Sequence, residues 1–266
     1  MSTAPRRVAI IQARMSSSRF PGKVLANLDG LPLIVFMAQR VQRSALLDHV
    51  VVATSTDTSD DILVRVLAEH GIPCQRGSLH DVLDRFHAAA RACQADHVVR
   101  LTGDCPLMDA DLIDRGLSEL AKTDCDYVSN VLPPSYPDGL DVECFTMAAL
   151  ETAWRHATLP SDREHVTPFI RAGHEGLRAR GWTGTADFST LRWTVDHPDD
   201  LAHVASLLAI AQSQRLARQA SAAVQPIDRF DLLRALETGL VAKAGDHLRN
   251  EGYQKSLAED SVNTPQ

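Results

Sequence analysis

Apolar residues in this chain gather first into short β-branched runs, then into longer stretches where they recur at helical spacing, and the two kinds of segment alternate. Val8 to Ile11 has the β-branched content of a strand buried on both faces and is too short for a helix. Pro32 opens a helix running to about Ser44. His49 to Thr54 is a second strand, Ser59 caps a helix to about His70, and Ile72 to Gln75 is a third strand. Gly77-Ser78 then caps a helix to about Gln94, with Asp81 in a capping-box-like position, and His97 to Leu101 returns as a strand. This β-α-β-α-β-α-β order predicts an α/β fold, a mostly parallel sheet with helices on both faces.

Downstream, Asp109 caps another helix, Asp126 to Ser129 reads as a strand, and Val131 to Asp141 is a proline-rich excursion. Strand periodicity resumes at Asp141 to Phe145, Thr146 caps a helix to about Ala157, and Ser161 caps one containing Arg163, Glu164 and His165. Leu191 to Val195 is expected to be the last core strand, followed by a helix started by Pro198. Arg229 to Thr238 reads as helix, whereas Arg249 to Lys255 lacks a clear apolar stripe. The expected organisation is a main domain over 1–212 and a helical extension over 213–266, packed on that domain or on a partner.

Ligands of such sheets bind beyond the carboxyl ends of the strands, and there the polar residues stand. The first strand runs into Arg14, three consecutive serines, Arg19, Pro21-Gly22 and Lys23, a turn-forming loop with three cations suited to a triphosphate. It is neither a Walker A loop, since Val24 follows Lys23, nor a G-x-G-x-x-G fingerprint. Thr54 to Asp57 and Thr102-Gly-Asp-Cys-Pro106 end two other strands. Asp104 and Asp196 both stand at strand ends opposite the basic loop. They meet the needs of Mg2+, which takes one or two carboxylates plus phosphate oxygens and keeps several waters. In that reading Arg19 and Lys23 hold the β and γ phosphates while an acceptor oxygen attacks the α-phosphorus. Asp109-Ala-Asp111 spells D-x-D but opens a helix, where acids are favoured by the macrodipole. His165 and His197 lack zinc-ligand spacing, and Cys105 has no paired base, so packing or solvated roles are expected for them.

Composition narrows the partners. With 34 acidic against 27 basic residues and a net charge of -7, broad nucleic-acid binding is not expected. Five scattered cysteines without a C-x-x-C, no signal-peptide core after Arg7 and no membrane-length apolar run point to a cytoplasmic protein without a membrane partner.

The stretch Gln12-Ala-Arg-Met-Ser-Ser-Ser-Arg-Phe-Pro-Gly-Lys23 resembles the first motif of the cytidylyltransferases that activate Kdo and sialic acids, and most of all their SpsF branch. Thr102-Gly-Asp-Cys-Pro106 and Val195-Asp-His-Pro-Asp-Asp-Leu201 follow in the order and spacing of that family. Tyr136-Pro-Asp-Gly-Leu-Asp-Val-Glu143, Arg163-Glu-His-Val-Thr-Pro168 and the tail from Leu248 to Leu257 extend the likeness over nearly the whole chain. The resemblance implies a Rossmann-like, GT-A-like fold of the nucleotide-diphospho-sugar transferase type and, with it, a homodimer. It implies that Gln12, Ala13, Arg14, Ser16, Arg19 and Lys23 contact CTP, that Thr54 and Thr102 lie near base or ribose, and that Asp104 and Asp196 bind magnesium. Arg19, Lys23 and Asp104 would carry catalysis, and Asp138, Asp141, Glu143, Arg163, Glu164 and His165 would form the pocket for a small anionic sugar acid. Two other functions stay open on the residues alone. A glycosyltransferase of similar fold would need Asp109 and Asp111, and a non-catalytic nucleotide-binding module would have no turnover to lose.

Overall fold

A computed structural model describes residues 4–218, 227–241, 249 and 251–263. Strand β1 (Arg7–Gln12) leads through the basic loop to a small hairpin, β2 (Asn27–Leu28) and β3 (Leu31–Pro32), and α1 (Leu33–Val41) starts directly after Pro32. Then come β4 (His49–Ser55), α2 (Asp61–Glu69), β5 (Cys74–Gly77), α3 (Val82–Ala92), β6 (His97–Thr102) and α4 (Ala110–Lys122), the alternation read from the sequence. The later elements are β7 (Tyr127–Ser129), β8 (Glu143–Thr146), α5 (Met147–His156), α6 (Pro160–His165), α7 (Pro168–Arg171) and β9 (Ala179–Gly181). Helices α8 (Pro198–Arg218), α9 (Arg229–Leu236) and α10 (Glu251–Asn263) follow. Residue 212, where a boundary was expected, lies inside α8.

The sheet has the order β5-β4-β1-β6-β8-β7-β9. Its first four strands are parallel, β8 is antiparallel to both β6 and β7, and β9 is parallel to β7. Period-two alternation feeds two cores: Ala9, Ile11, Val50, Val52, Val99 and Leu101 face α1, α2, α4, α8 and α9. Val8, Ile10, Val51, Ala53 and Val98 face α3, α5 and α7 on the other side. Fully burying a side chain such as Ile10 or Ile11 contributes about 1.5–3 kcal/mol, which is why β1 tolerates no polar residue between Arg7 and Gln12.

Several local expectations are corrected. Asp81, not Ser78, caps α3 by accepting from Asp84 N at 2.9 Å, and the Ser78 hydroxyl instead accepts from Asp81 N. Asp57 caps the turn leading into α2, because Ser59 sits inside that turn and donates its hydroxyl to Asp57. The third strand starts at Cys74: Ile72 N closes the end of α2 on Leu67 O, and Pro73 has no N–H to give a ladder. No side chain caps α6, which begins with Pro160 at its first turn. Leu191 to Val195 is not a strand. Trp193 N donates to Asp138 O at 2.6 Å and Val195 N to Asp104 O at 2.8 Å, so this segment serves loops rather than a neighbouring strand. The outer strand is β9, whose Ala-Arg-Gly sequence carries no alternation to read.

Candidate active site

Chain order reverses across the centre of the sheet, since β4 and β5 lie on one side of β1 and β6 on the other. Loops leaving β1 and β6 therefore part and open a crevice. Gly103 keeps them close at the base: its N–H donates to Gln12 O at 2.8 Å, and a Cβ there would meet that oxygen at 2.9 Å and Ala13 Cβ at 3.0 Å. The β1 loop folds back on itself through Gly22 N to Met15 O at 3.0 Å, and Met15 N donates to Asp60 Oδ1 at 2.7 Å. Buried Asp60 also accepts from Thr54 Oγ1 and from Ser55 N and Oγ, so it fastens the loop to the end of β4.

The crevice continues into a cavity of about 760 Å³ that runs from Gln12 at the end of β1 to Tyr253 in α10. At its centre Lys23 Nζ lies 2.9 Å from both Asp104 Oδ2 and Asp196 Oδ1. Arg19 and Arg192 each reach Asp196 at 2.7 Å, and Arg192 also meets Asp138 at 3.1 Å and Asp200 at 3.3 Å. Asp200 accepts from Asp196 N and His197 N at 2.9 Å each, which fixes the turn presenting Asp196. Burial works against the Lys23 ammonium, yet the two carboxylates outweigh it and raise its pKa. Burial likewise opposes ionisation of Asp104, but the charge and hydrogen bond of Lys23 hold its carboxyl well below the usual range.

Two hard anionic oxygens already sharing one cation are a donor set that magnesium accepts. Among the described residues no three His, Cys, Asp or Glu side chains form a metal cage, so a metal here would complete its shell with phosphate oxygens and water.

Beyond Lys23 the cavity is lined by Asp138, Asp141, Glu143, Glu164 and His165. Glu143 accepts from Tyr127 Oη and Thr167 Oγ1 at 2.6 Å each and pairs with Arg100. Asp141 pairs with Arg249, while burial, resisted by Arg249 and reinforced by Asp138 and Glu143, pushes its carboxyl up to about 7. Burial, with Arg100 adding to it, pushes His165 down to about 4. Gly139, at φ 104°, lets the backbone after Asp138 pass against Trp193, where a Cβ would stand 2.8 Å from a carbonyl carbon.

A strand-end basic loop thus faces paired aspartates, and comparison with known proteins shows the family. A family model described as cytidylyltransferase matches residues 8–237. The chain belongs to the cytidylyltransferase family. The spore coat polysaccharide biosynthesis protein SpsF of Bacillus subtilis is 33% identical over 74% of this chain and 84% of its own length. A 3-deoxy-manno-octulosonate cytidylyltransferase of Pelobacter propionicus is 35% identical over 42% of this chain and 43% of its own. An uncharacterized protein of Methanocaldococcus jannaschii is 41% identical over 61% of this chain and 66% of its own, so the chain spans under two thirds of two of these three relatives. The solved structure of a cytidylyltransferase from Leptospira borgpetersenii superposes with a TM-score of 0.81 at 26% identity, covering 92% of this chain and all of that one.

Most residues that the cytidylyltransferase resemblance singled out line the one cavity: Gln12, Ala13, Arg14, Arg19, Lys23, Thr102, Asp104 and Asp196 on one side, the acidic group and His165 on the other. Three do not. Thr54 is buried, spends its hydroxyl on Asp60 and does not reach the cavity, so its part is to hold the loop. Ser16 is exposed at the loop tip, while Ser17 and Ser18 line the cavity. Arg163 turns away to pair with Asp81 and to donate to Trp154 O at 2.8 Å, bridging α6 to α3. Asp109 of the D-x-D accepts from Asp111 N at 2.9 Å and from Arg229 at 2.8 Å, and neither aspartate lines the cavity. Sequence reasoning missed Asp60 and Arg192. The only hint of Arg192 was an arginine set four residues before Asp196 in an apolar run.

Proposed function

We propose that this cytidylyltransferase-family protein transfers CMP from CTP to a small anionic sugar acid with release of pyrophosphate, using magnesium. One observation carries the reading: Lys23 bridges Asp104 and Asp196 in a cavity that also presents Arg14 and Arg19. The acceptor hydroxyl gives up its proton as its oxygen bonds to the α-phosphorus, and the bond to the β-phosphate oxygen breaks. Arg14, Arg19 and Lys23 take up the charge gathering on the leaving pyrophosphate. Asp104 and Asp196 would hold magnesium, which when bound neutralises phosphate charge as a Lewis acid. The charge and hydrogen bond of Lys23 favour the ionised form of Asp104 in this role, and Arg192 pairs with Asp196.

The names of the octulosonate cytidylyltransferase and of SpsF support a sugar-acid acceptor and a part in surface polysaccharide synthesis. Family likeness alone supports a homodimer, which sedimentation velocity tests. No helix of the described residues is long and apolar enough to cross a membrane, in keeping with soluble sugar-nucleotide synthesis in the cytoplasm.

The experiment is pyrophosphate release with magnesium, using each of the four ribonucleoside triphosphates against a panel of sugar acids, with Asp104→Ala as the blank. Release with CTP and one acid, lost in the variant and without added chelator-resistant background, supports the reading. Consumption of a preformed nucleotide sugar with no release from CTP sinks it.

A further inference from the structure

The family match ends at residue 237, and α10 lies beyond it. This helix nevertheless walls the cavity, to which Tyr253, Ser256 and Glu259 contribute together with Arg249 just ahead of the helix. Its seat is specific. Ser256 Oγ donates to Glu164 Oε2 at 2.7 Å and lies 3.0 Å from His165 Nε2, and the Tyr253 ring meets the His165 ring edge-on at 5.1 Å. Asp260 accepts from Ser161 N at 3.3 Å, so α10 rests along α6. Arg249 pairs with Asp141 and donates to Tyr136 O at 3.1 Å.

The cations on this side have capacity to spare. Arg171, at the end of α7, lines the cavity with its guanidinium 5.2 Å from the centre of the Tyr253 ring, a cation–π contact. Among the described residues no carboxylate lies within ion-pair distance of it; burial works against its charge, but the more distant Glu143 and a hydrogen bond to Tyr253 outweigh that and raise its pKa, and Glu143 also serves Arg100, Tyr127 and Thr167. The Nε–H groups of Arg100 and Arg249 are buried in the cavity wall without a hydrogen-bond partner. A guanidinium fork without a carboxylate, beside unused donors, matches a carboxylate bearing neighbouring hydroxyls.

Resting on the transferase reading above, we propose that α10 is the acceptor-recognition wall of this enzyme, and that Arg171, oriented by Tyr253, binds the carboxylate of the sugar acid. The acceptor is then recognised jointly by α7, inside the family-matched part of the chain, and by α10 beyond it.

The test uses the full-length protein with CTP, magnesium and the acid that supports turnover, beginning with 3-deoxy-manno-octulosonate and N-acetylneuraminate. KM for acid and for CTP are measured separately, and CTP binding is titrated calorimetrically without acid. Arg171→Gln should raise the KM for acid by about 10- to 100-fold, the range for a hydrogen bond to a charged group, while CTP affinity stays within about twofold. Tyr253→Ala should raise the same KM, and Tyr253→Phe, which keeps the ring but loses the hydroxyl bonded to Arg171, should fall between it and the wild type. The acid with its carboxylate reduced to an alcohol should be a poor acceptor for the wild type, with the discrimination lost in Arg171→Gln. If Arg171→Gln does not fold, Arg171→Lys keeps the charge without the fork and should show the same selective rise. Turnover with an unchanged KM for acid, or a parallel loss of CTP affinity, overturns this assignment alone. A wild type that releases no pyrophosphate with any acid overturns the transferase reading and this assignment with it.

Discussion

Replacing Lys23 with methionine keeps the length of the side chain and removes the one cation that Asp104 and Asp196 share. Removing one partner of a buried ion pair costs about 3–5 kcal/mol when the other charge is left alone. Here the loss is smaller, because Asp196 retains Arg19 and Arg192, each at 2.7 Å. Asp104 has no other ion pair among the described residues, but its side chain keeps 26% of its surface accessible to water. The expected cost is therefore about 2 kcal/mol, which lowers the melting temperature by about 4–8 °C for a chain of this size. Turnover should fall further, by about a hundred- to a thousand-fold, since in the proposed reaction the ammonium also faces the leaving phosphates. The pH profile gives an independent reading. Lys23 titrates above its ordinary 10.5, so its contribution is whole below that value and is lost as pH rises through the folded pKa. Asp104 titrates below its ordinary 3.8, so its contribution is whole above that value and is lost as pH falls. The difference in stability between wild type and Lys23→Met should thus be flat between pH 3.8 and 10.5 and shrink on both sides, as followed by urea melts. A variant that melts with the wild type and turns over within threefold of it would refute the reasoning.

Gly103→Ala places a methyl 2.9 Å from Gln12 O and should force the β1 and β6 loops apart, lowering stability by about 1–3 kcal/mol and CTP affinity with it; melting and calorimetry read both. Arg163→Ala breaks the tie from α6 to Asp81 and should cost about 1–3 kcal/mol in thermal melts while leaving KM for CTP within about twofold, and unchanged melting would contradict that structural role. Asp141 binds its proton more tightly when folded than unfolded, so its contribution is full below pH 3.8 and is lost as pH rises towards about 7. Asp141→Asn should remove that sloping limb from the pH dependence of urea melts, and an unaltered slope would show that Asp141 does not titrate there.

The parts of the fold legible in the sequence are those where one physical demand dominates. Strands β1 and β4 are buried on both faces, so they read as apolar, largely β-branched runs, β6 keeps a shorter Val98-Val99 run before Arg100, and the polar loops at their ends mark the crevice directly. Asp109 and Thr146 cap helices as expected because the donors they satisfy lie two or three residues away. Legibility fails where the partner is distant in sequence. Nothing local says that Arg163 answers to Asp81 or that Arg192, beside its near partners Asp196 and Asp200, also reaches Asp138. It fails again at β9, three residues joined to the sheet along β7 alone, where pairing rather than side-chain chemistry makes the strand.

The cavity joins residues far apart in the sequence, taking Arg14 and Lys23 from the loop after β1 and Tyr253 and Ser256 from α10. Synthesis on the ribosome runs in one direction, so the phosphate-facing side can fold while the opposite wall is still unmade. A chain stopped ahead of residue 249 would keep every strand of the sheet and the basic loop in its sequence but lack the residues that wall the cavity beside His165.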